Sequence, residues 1–451
     1  MLSVSKIRAI GVAIIFAATA TTARAESLVE ALTSAYANNP QIASALLSVK
    51  ASAEDIALRR AGKMPSISAA ADIKSTWSIV GGAVSTVQTS SLGVTYSQTL
   101  FDNLKTDAQI EQARAFSEVA SQSLRNAEQN VLLSAATAYL NVVRDTQLVK
   151  LRADNVSFFQ AQVRSAKDRL QIGEGTKIDV SQAEARLAQG VASYKSAINS
   201  LRTSQASYQR WVGHKPQNLT LGYKFGGILP SSLDEAQNLA DRMHPAILSA
   251  KAQLRAAQSA SDAARAAFGP TLNLIGTIGG MHSFATGVTT PSTSIKLTLS
   301  VPIYQGGAIG ASVRQANLNQ IKSEVDALSA RDQVREAVIS SWSGLQNALA
   351  QIESAQSAVK SSQLVLEGVI EERNVGQRTT LDVLNARAEL TAAQEGRIGA
   401  QSSRLIAAFS LVAASGRLSA RDLGLPVQIM TGGGYMQKVE DVWQELRSIS
   451  E

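Results

Sequence analysis

The sequence holds three histidines, His214, His244 and His282, and they fall on different elements with no spacing that suggests a set of metal ligands. There is no cysteine, so a disulfide framework and a lipid attached to an N-terminal cysteine are both ruled out. No nucleophile with an adjacent base stands out. Gly173-Glu174-Gly175-Thr176 is glycine-rich but lacks the lysine and the spacing of a phosphate loop. What remains is electrostatic. Asp179 and Asp382 each follow a glycine turn, at Gly173 and Gly376, where an aspartate caps the start of a helix and glycine supplies the turn geometry. The sequence therefore predicts no enzyme, no cofactor and no metal.

The elements around these residues belong to an exported chain. Lys6 and Arg8 precede an apolar stretch, Ala9 to Ala20, of about a dozen residues, and Ala23-Arg24-Ala25 fits a small-x-small cleavage site. Residues 1–25 read as a signal peptide, the mature chain starting near Glu26; the stretch is short of the roughly 20 residues a membrane span needs. Losing Lys6, Arg8 and Arg24 takes the formal charge from +7 to +4. That value is too mild, and its cations too scattered, to argue for a nucleic-acid partner.

The mature chain is written twice. Ser27-Leu28 recurs as Ser232-Leu233, Asn39-Pro40 as His244-Pro245, Leu100-Phe101 as Ile303-Tyr304, and Asp179-Val180 as Asp382-Val383. The first repeat spans 26–230, the second 231–418, and a C-terminal tail 419–451 follows. Each repeat opens with two helices, ended by Pro65 or Pro270. Two strand-like pieces follow, at about 66–79 and 91–101 in the first copy and 271–284 and 293–303 in the second. A very long helix comes next, 104–170 or 307–373, then a glycine turn and a shorter helix, 178–211 or 381–414. At about 1.5 Å per residue, each long helix is a rod on the order of 100 Å, which no compact globule accommodates. Gly432-Gly433-Gly434 reads as a flexible hinge rather than a ligand loop, in a tail that from 420 on, with Pro426, reads as poorly ordered or packed along the helices as a belt.

The strand-like pieces alternate. Ile67, Ala69, Ala71, Ile73 and Trp77 fall on odd positions against Ser66, Ser68, Asp72 and Lys74, and Ile295, Leu297, Leu299 and Val301 alternate with Ser294, Lys296, Thr298 and Ser300. Alternation over about ten residues is the signature of a transmembrane β-barrel strand. Trp77, Tyr96, Phe101, Phe284 and Tyr304 lie near strand ends, where amphipathic rings favour the membrane interface. Loops 80–90 and 285–292 would face outward. A barrel needs at least eight strands, so four from one chain must join those of other copies. Two copies make a side-chain-filled barrel, and three a possible lumen.

In its duplication, in Asn38-Asn39-Pro40, Gln98-Thr99-Leu100-Phe101-Asp102 and Val301-Pro302-Ile303-Tyr304-Gln305-Gly306-Gly307, and in the turn from Asn374 to Val383, the chain resembles the TolC family of outer-membrane efflux and secretion ducts over essentially its mature length. The resemblance implies a mainly α fold with a transmembrane β-barrel portion: a homotrimer whose subunits each give four strands to a shared barrel and whose long helices form a periplasmic α-barrel. It implies a periplasmic adaptor and an inner-membrane pump of the ABC or RND type as partners, with drugs or secreted proteins as cargo. The Val301–Gly307 stretch resembles the type I secretion branch. At the periplasmic tips, the resemblance makes Asp179 an acceptor, Arg378 a cation and Asp382 a ring of carboxylates holding a closed gate. Arg373 stands where relatives often have tyrosine, Asn385 replaces a second carboxylate, and Ile178 replaces a frequent threonine. Gly173, Thr176, Val375, Gly376 and Thr379 would meet the adaptor. A periplasmic or secreted coiled-coil or adaptor protein is the alternative reading.

Overall fold

The structure is a computed structural model that describes residues 26–440; the expected signal peptide, 1–25, and the end of the tail, 441–451, lie outside the described residues. The chain runs α1 (Leu28–Asn38), α2 (Pro40–Arg60), β1 (Ser66–Val80), β2 (Ala83–Phe101), α3 (Lys105–Gln171) and α4 (Lys177–Val212). It then repeats the order as α5 (Leu233–Met243), α6 (Pro245–Ala266), β3 (Thr271–Ser283), β4 (Thr289–Ser300), α7 (Ala308–Asn374) and α8 (Thr380–Ala414), and closes with α9 (Gly433–Glu440).

Matched caps start the matched helices. Ser27 accepts from the Glu30 amide while Glu30 accepts from the Ser27 backbone, a reciprocal capping box, and Ser232 accepts from the Glu235 amide. Asn39 caps α2 and His244 caps α6, each just before a proline at the first helical position. The cap on α6 is a 3.2 Å bond from the Ala246 amide to His244 Nδ1. Only an unprotonated Nδ1 accepts, and burial, helped by Arg125, holds the imidazole below its usual range. A depressed folded-state value means that this contribution is full above about pH 6.5 and is lost as the pH falls. We expect His244→Asn, which caps at any pH, to flatten the acid side of the stability profile, with a gain at pH 5 of about 0.5–2 kcal/mol. Melting temperatures of wild type and variant at pH 5 and pH 8 check this; equal pH slopes would show that His244 does not titrate on unfolding.

α3 and α7 each run 67 residues without a break, about 100 Å of helix. α3 packs along α4, and α7 along α8, as two long hairpins. The main core lies partway along the rods, where Leu32, Tyr36, Leu132, Tyr139, Tyr208 and Phe409 are buried together. α7 is the least covered helix: Leu318, Ile321, Val325 and Leu328 step by three and four, and each is more than half exposed.

The sheet joins the two repeats. Its order is β1-β2-β3-β4, every neighbour antiparallel, with β1 and β4 at open edges. Directly paired residues share a face. One face therefore carries Ile67, Ala71, Ile73, Trp77 and Ile79 of β1, Leu92, Val94 and Tyr96 of β2, Leu272, Leu274 and Ile278 of β3, and Ile295, Leu297 and Leu299 of β4. The other face carries Ser68, Asp72, Lys74, Thr95, Ser91, Thr277, Ser294, Lys296 and Thr298.

Several boundaries differ from the sequence expectation. β2 begins at Ala83 rather than near 91, because Gly81 and Gly82, both at positive φ, make a two-residue turn that sets 83–90 directly opposite 73–80. The expected loop 80–90 is thus mostly strand. β4 runs from Thr289 to Ser300 instead of 293–303. Pro302, which has no N–H to give a ladder, follows its end. The expected glycine hinge is not one: Gly432 packs so closely on Val49 that a Cβ would sit 2.1 Å from its Cγ1, and α9 starts at Gly433. The described tail lies along the first repeat. Glu128 accepts from the Ala420 amide at 2.6 Å, Tyr36 accepts from the Met430 amide at 2.8 Å, and Tyr435 donates to Glu54 at 2.6 Å.

Candidate functional site

The tips of the two helical hairpins are built alike. After α3, Gly173 takes a left-handed φ of 82° while the amides of Gly173 and Glu174 donate back to the carbonyls of Leu170 and Arg169. After α7, Gly376 repeats the φ of 82°, and the amides of Gly376 and Gln377 reach Arg373 and Glu372. Both are Schellman closures, which need a residue free of the Cβ penalty. Thr176 and Thr379 then start α4 and α8 with capping boxes. The Asp179 amide donates to Thr176 Oγ1 at 3.1 Å while Asp179 Oδ2 accepts from the Thr176 backbone and hydroxyl at 3.0 and 2.6 Å. For Asp382 and Thr379 the same three distances are 3.2, 2.9 and 2.8 Å. The threonine hydroxyl and backbone bonds hold both carboxyls below the usual aspartate range.

Within one chain, then, Thr176 and Thr379 are the helix caps, and Asp179 and Asp382 complete their capping boxes. Arg378 turns to its own hairpin, its Nε donating to Glu372 Oε2 at 2.7 Å, with both side chains about half exposed. Arg373 is half-buried beside Arg169; its Nε has no hydrogen-bond partner among the described residues, and burial, followed by Arg169, lowers its affinity for the proton. Asn385 accepts a 2.8 Å bond from Arg186 Nη2 and so links α8 to α4. Gly173 and Thr176 lie exposed at the first turn, and Val375, Gly376 and Thr379 at the second.

The strongest ties between the two hairpins are residues that the sequence did not single out. Arg152 of α3 donates to both oxygens of Glu395 of α8, at 2.8 and 3.2 Å, and its Nη1 reaches the Ser193 carbonyl of α4 at 2.9 Å. Three helices meet on one guanidinium. Asn155 of α3 accepts from Arg387 Nε and the Thr391 hydroxyl of α8, both at 3.2 Å, and the Arg387 guanidinium lies 4.7 Å from the Phe158 ring. With Arg186–Asn385, these contacts form a ladder over residues 385–395, about 15 Å of α8. Phe159, Val163, Ala183 and Leu384 pack as a small apolar cluster behind it.

At the other end of the molecule the apolar sheet face is bare: Ile73 is 73 %, Leu92 66 % and Ile295 82 % exposed. Trp77 and Phe284 lie toward the hairpin tips, while Phe101 and Tyr304 lie at the helix end and Tyr96 near it. The Tyr96 hydroxyl donates to Gln98 at 2.6 Å. From the row of Ile67 and Tyr96 to the row of Trp77 is ten residues, roughly 33 Å of strand and about 25 Å across at a barrel tilt. That matches the height of the apolar band on outer-membrane barrels. Among the described residues no helix is long and apolar enough to cross a membrane.

The sequence profile of the outer membrane efflux protein family matches residues 31–214 and 237–417, well over half of the chain and one block in each repeat. The outer membrane efflux protein BepC of Brucella suis biovar 1 (strain 1330) is 35% identical over 430 residues, covering 94% of this chain and 93% of that protein. The outer membrane protein TolC of Escherichia coli (strain K12) is 25% identical over 417 residues, covering 89% of this chain and 84% of its own. Among solved structures, the CmeC outer membrane channel of Campylobacter jejuni superposes with a TM-score of 0.77 at 17% identity, over 92% of this chain and 89% of that one.

Proposed function

The chain belongs to the outer membrane efflux protein family, and on that premise we propose that three copies close one twelve-stranded barrel through the outer membrane, with the long helices continuing the duct into the periplasm. The protein is an outer-membrane channel, the exit duct of a tripartite efflux system. The observation that carries the reading is the sheet: four strands put their apolar side chains on one shared, exposed face and leave two edges unpaired. Open edges in lipid leave backbone groups without partners, so β4 of one copy pairs with β1 of the next. Extraction from outer-membrane fractions as heat-modifiable trimers supports this, and release with the soluble periplasmic contents overturns it.

A periplasmic adaptor docking on the turns at Gly173, Thr176, Val375, Gly376 and Thr379, and an inner-membrane pump of the ABC or RND type, complete the pathway. The channel itself passes cargo passively. Drug sensitivity and the secreted protein profile of a deletion strain separate drug efflux from type I secretion. Lost resistance with unchanged secretion assigns the chain to drugs, and the converse assigns it to protein export.

The tips form the gate, Asp382 lining it as a ring of three carboxylates and Arg378 contributing a cation. Opening moves the α7–α8 hairpin away from α3 and α4, so the Arg152–Glu395 ladder belongs to the closed state. Because Arg378 and Glu372 are exposed and share one hairpin, their pair contributes little to holding the tip shut. Arg378→Ala is expected to raise single-channel conductance in planar bilayers modestly. An unchanged trace would remove Arg378 from the gate.

A further inference from the structure

Glu26 is the first described residue, and it is held from every side. Its carboxylate is 11 % exposed, with Oε1 accepting a 2.5 Å bond from the Tyr208 hydroxyl and lying 3.4 Å from His214 Nε2. Its carbonyl and that of Thr220, each 2.8 Å from the Tyr139 hydroxyl, share that single donor, and its own N–H donates to the Gln217 carbonyl at 3.3 Å. Tyr139 and Tyr208 are fully buried, their rings 6.3 Å apart, and the Tyr139 hydroxyl also accepts from the Thr220 amide at 3.0 Å. Burial, followed by the bond to Glu26, holds the Tyr208 phenol far above its ordinary range, so it stays a donor. The seat thus draws on α3, α4 and the segment 214–220. One feature is unbalanced: Glu26 Oε2 is buried and has no hydrogen-bond partner among the described residues. A carboxylate oxygen without a donor is costly where water is excluded.

Ala23-Arg24-Ala25 stands immediately before this seat. We propose that the Tyr139–Tyr208–Gln217 recess is a binding site for the chain's own processed amino terminus, its ligand being a glutamate that carries a free α-ammonium. Hydrolysis of the Ala25–Glu26 bond by a signal endopeptidase adds the hydroxyl of water to the Ala25 carbonyl carbon and its proton to the Glu26 nitrogen. A second proton from solvent makes that nitrogen an ammonium below about pH 8. A peptide nitrogen has a single N–H, which the Gln217 carbonyl already takes. The ammonium has three, leaving donors and a positive charge for the otherwise unsatisfied Oε2. Processing then completes the seat, and the docked terminus pins the loop after α4 to both long helices of the first hairpin.

The test uses trimers purified from the outer membrane. Their amino-terminal residue is identified by mass spectrometry and their amines are labelled with formaldehyde and cyanoborohydride, in the native state and after denaturation. The seat predicts Glu26 at the terminus, with an α-amine that reacts about tenfold or more slowly in native trimers, as a buried charge-assisted contact requires. Tyr208→Phe should abolish most of that protection; if that variant yields no trimer, Glu26→Asp, one methylene shorter, decides in its place. A terminus at another residue overturns the proposal, and so does a native-state rate equal to the denatured one. Protection unaffected in Tyr208→Phe, or in Glu26→Asp where that variant stands in, overturns it too. The inference rests on export of the chain and not on the duct: a freely reactive Glu26 in an intact trimer removes the seat and leaves the channel standing.

Discussion

Leu92→Arg is expected to abolish stable trimers in the outer membrane, while Thr95→Arg, three residues along the same strand, leaves them intact. Leu92 is 66 % exposed near the middle of β2, paired with Ala71 on one side and Gly280 on the other, on the face that holds Ile73, Ile278 and Leu297. A guanidinium at the bilayer midplane costs about 2–4 kcal/mol per copy, and three copies in one barrel multiply that to about 6–12 kcal/mol. The total is comparable with the whole stability of an ordinary domain, about 5–15 kcal/mol. Thr95 pairs with Ser68 and Thr277 on the opposite face, where an arginine meets water and alters conductance instead. Heat-modifiability on gels and the yield from outer-membrane fractions read both variants. Equal trimer yields would mean that the alternation does not separate lipid from lumen, and with it would go the barrel.

The second large effect is at Arg152. Its bidentate pair with Glu395 is only about a quarter exposed, 26% and 29% for the two side chains, and it is charge-assisted on both sides. Such bonds contribute about 1.5–3 kcal/mol where water is excluded; allowing for partial exposure leaves about 1–2 per subunit. If the three tips open together, Arg152→Ala shifts the closed-to-open balance by about 3–6 kcal/mol, a factor of about a hundred or more. Planar-bilayer recordings should show larger and more frequent openings than Arg378→Ala produces. Exchanging the pair, Arg152→Glu with Glu395→Arg, should restore part of the closure, the Ser193 contact being lost in any case. A closed, wild-type-like trace for Arg152→Ala would place the latch elsewhere.

The parts of this architecture that follow local rules were legible from residues alone. Asn39-Pro40 and His244-Pro245 announce helix starts, and Gly173 and Gly376 announce turns, because each rule involves atoms a few residues apart; the sequence reading puts the caps after those turns on Asp179 and Asp382, whereas Thr176 and Thr379 are the N-caps and the aspartates complete the boxes from the third helical position. The apolar and polar faces of the strands were legible wherever the side chains alternate strictly. They failed over 83–90, where Thr86, Gln88 and Ser90 occupy the apolar-side positions near the hairpin tip and the turn geometry, not the side chains, sets the pairing. The hairpin ladder was illegible for a different reason. Arg152 and Glu395 are 243 positions apart, and either alone reads as an ordinary charge on the wet flank of a helix. Gly432 misled because its meaning lies in the close approach of Val49, far away in sequence, while Gly433 and Gly434 open α9.

The two-glycine tip between β1 and β2 has one more consequence. Gly81 and Gly82 have nothing within 4 Å of where a Cβ would stand, and the partner turn at the other hairpin spans only 284–288. The sheet therefore ends, on the side away from the helices, in two short bends. A small epitope spliced between the two glycines is expected to be displayed beyond the rim of the sheet without disturbing a packed side chain.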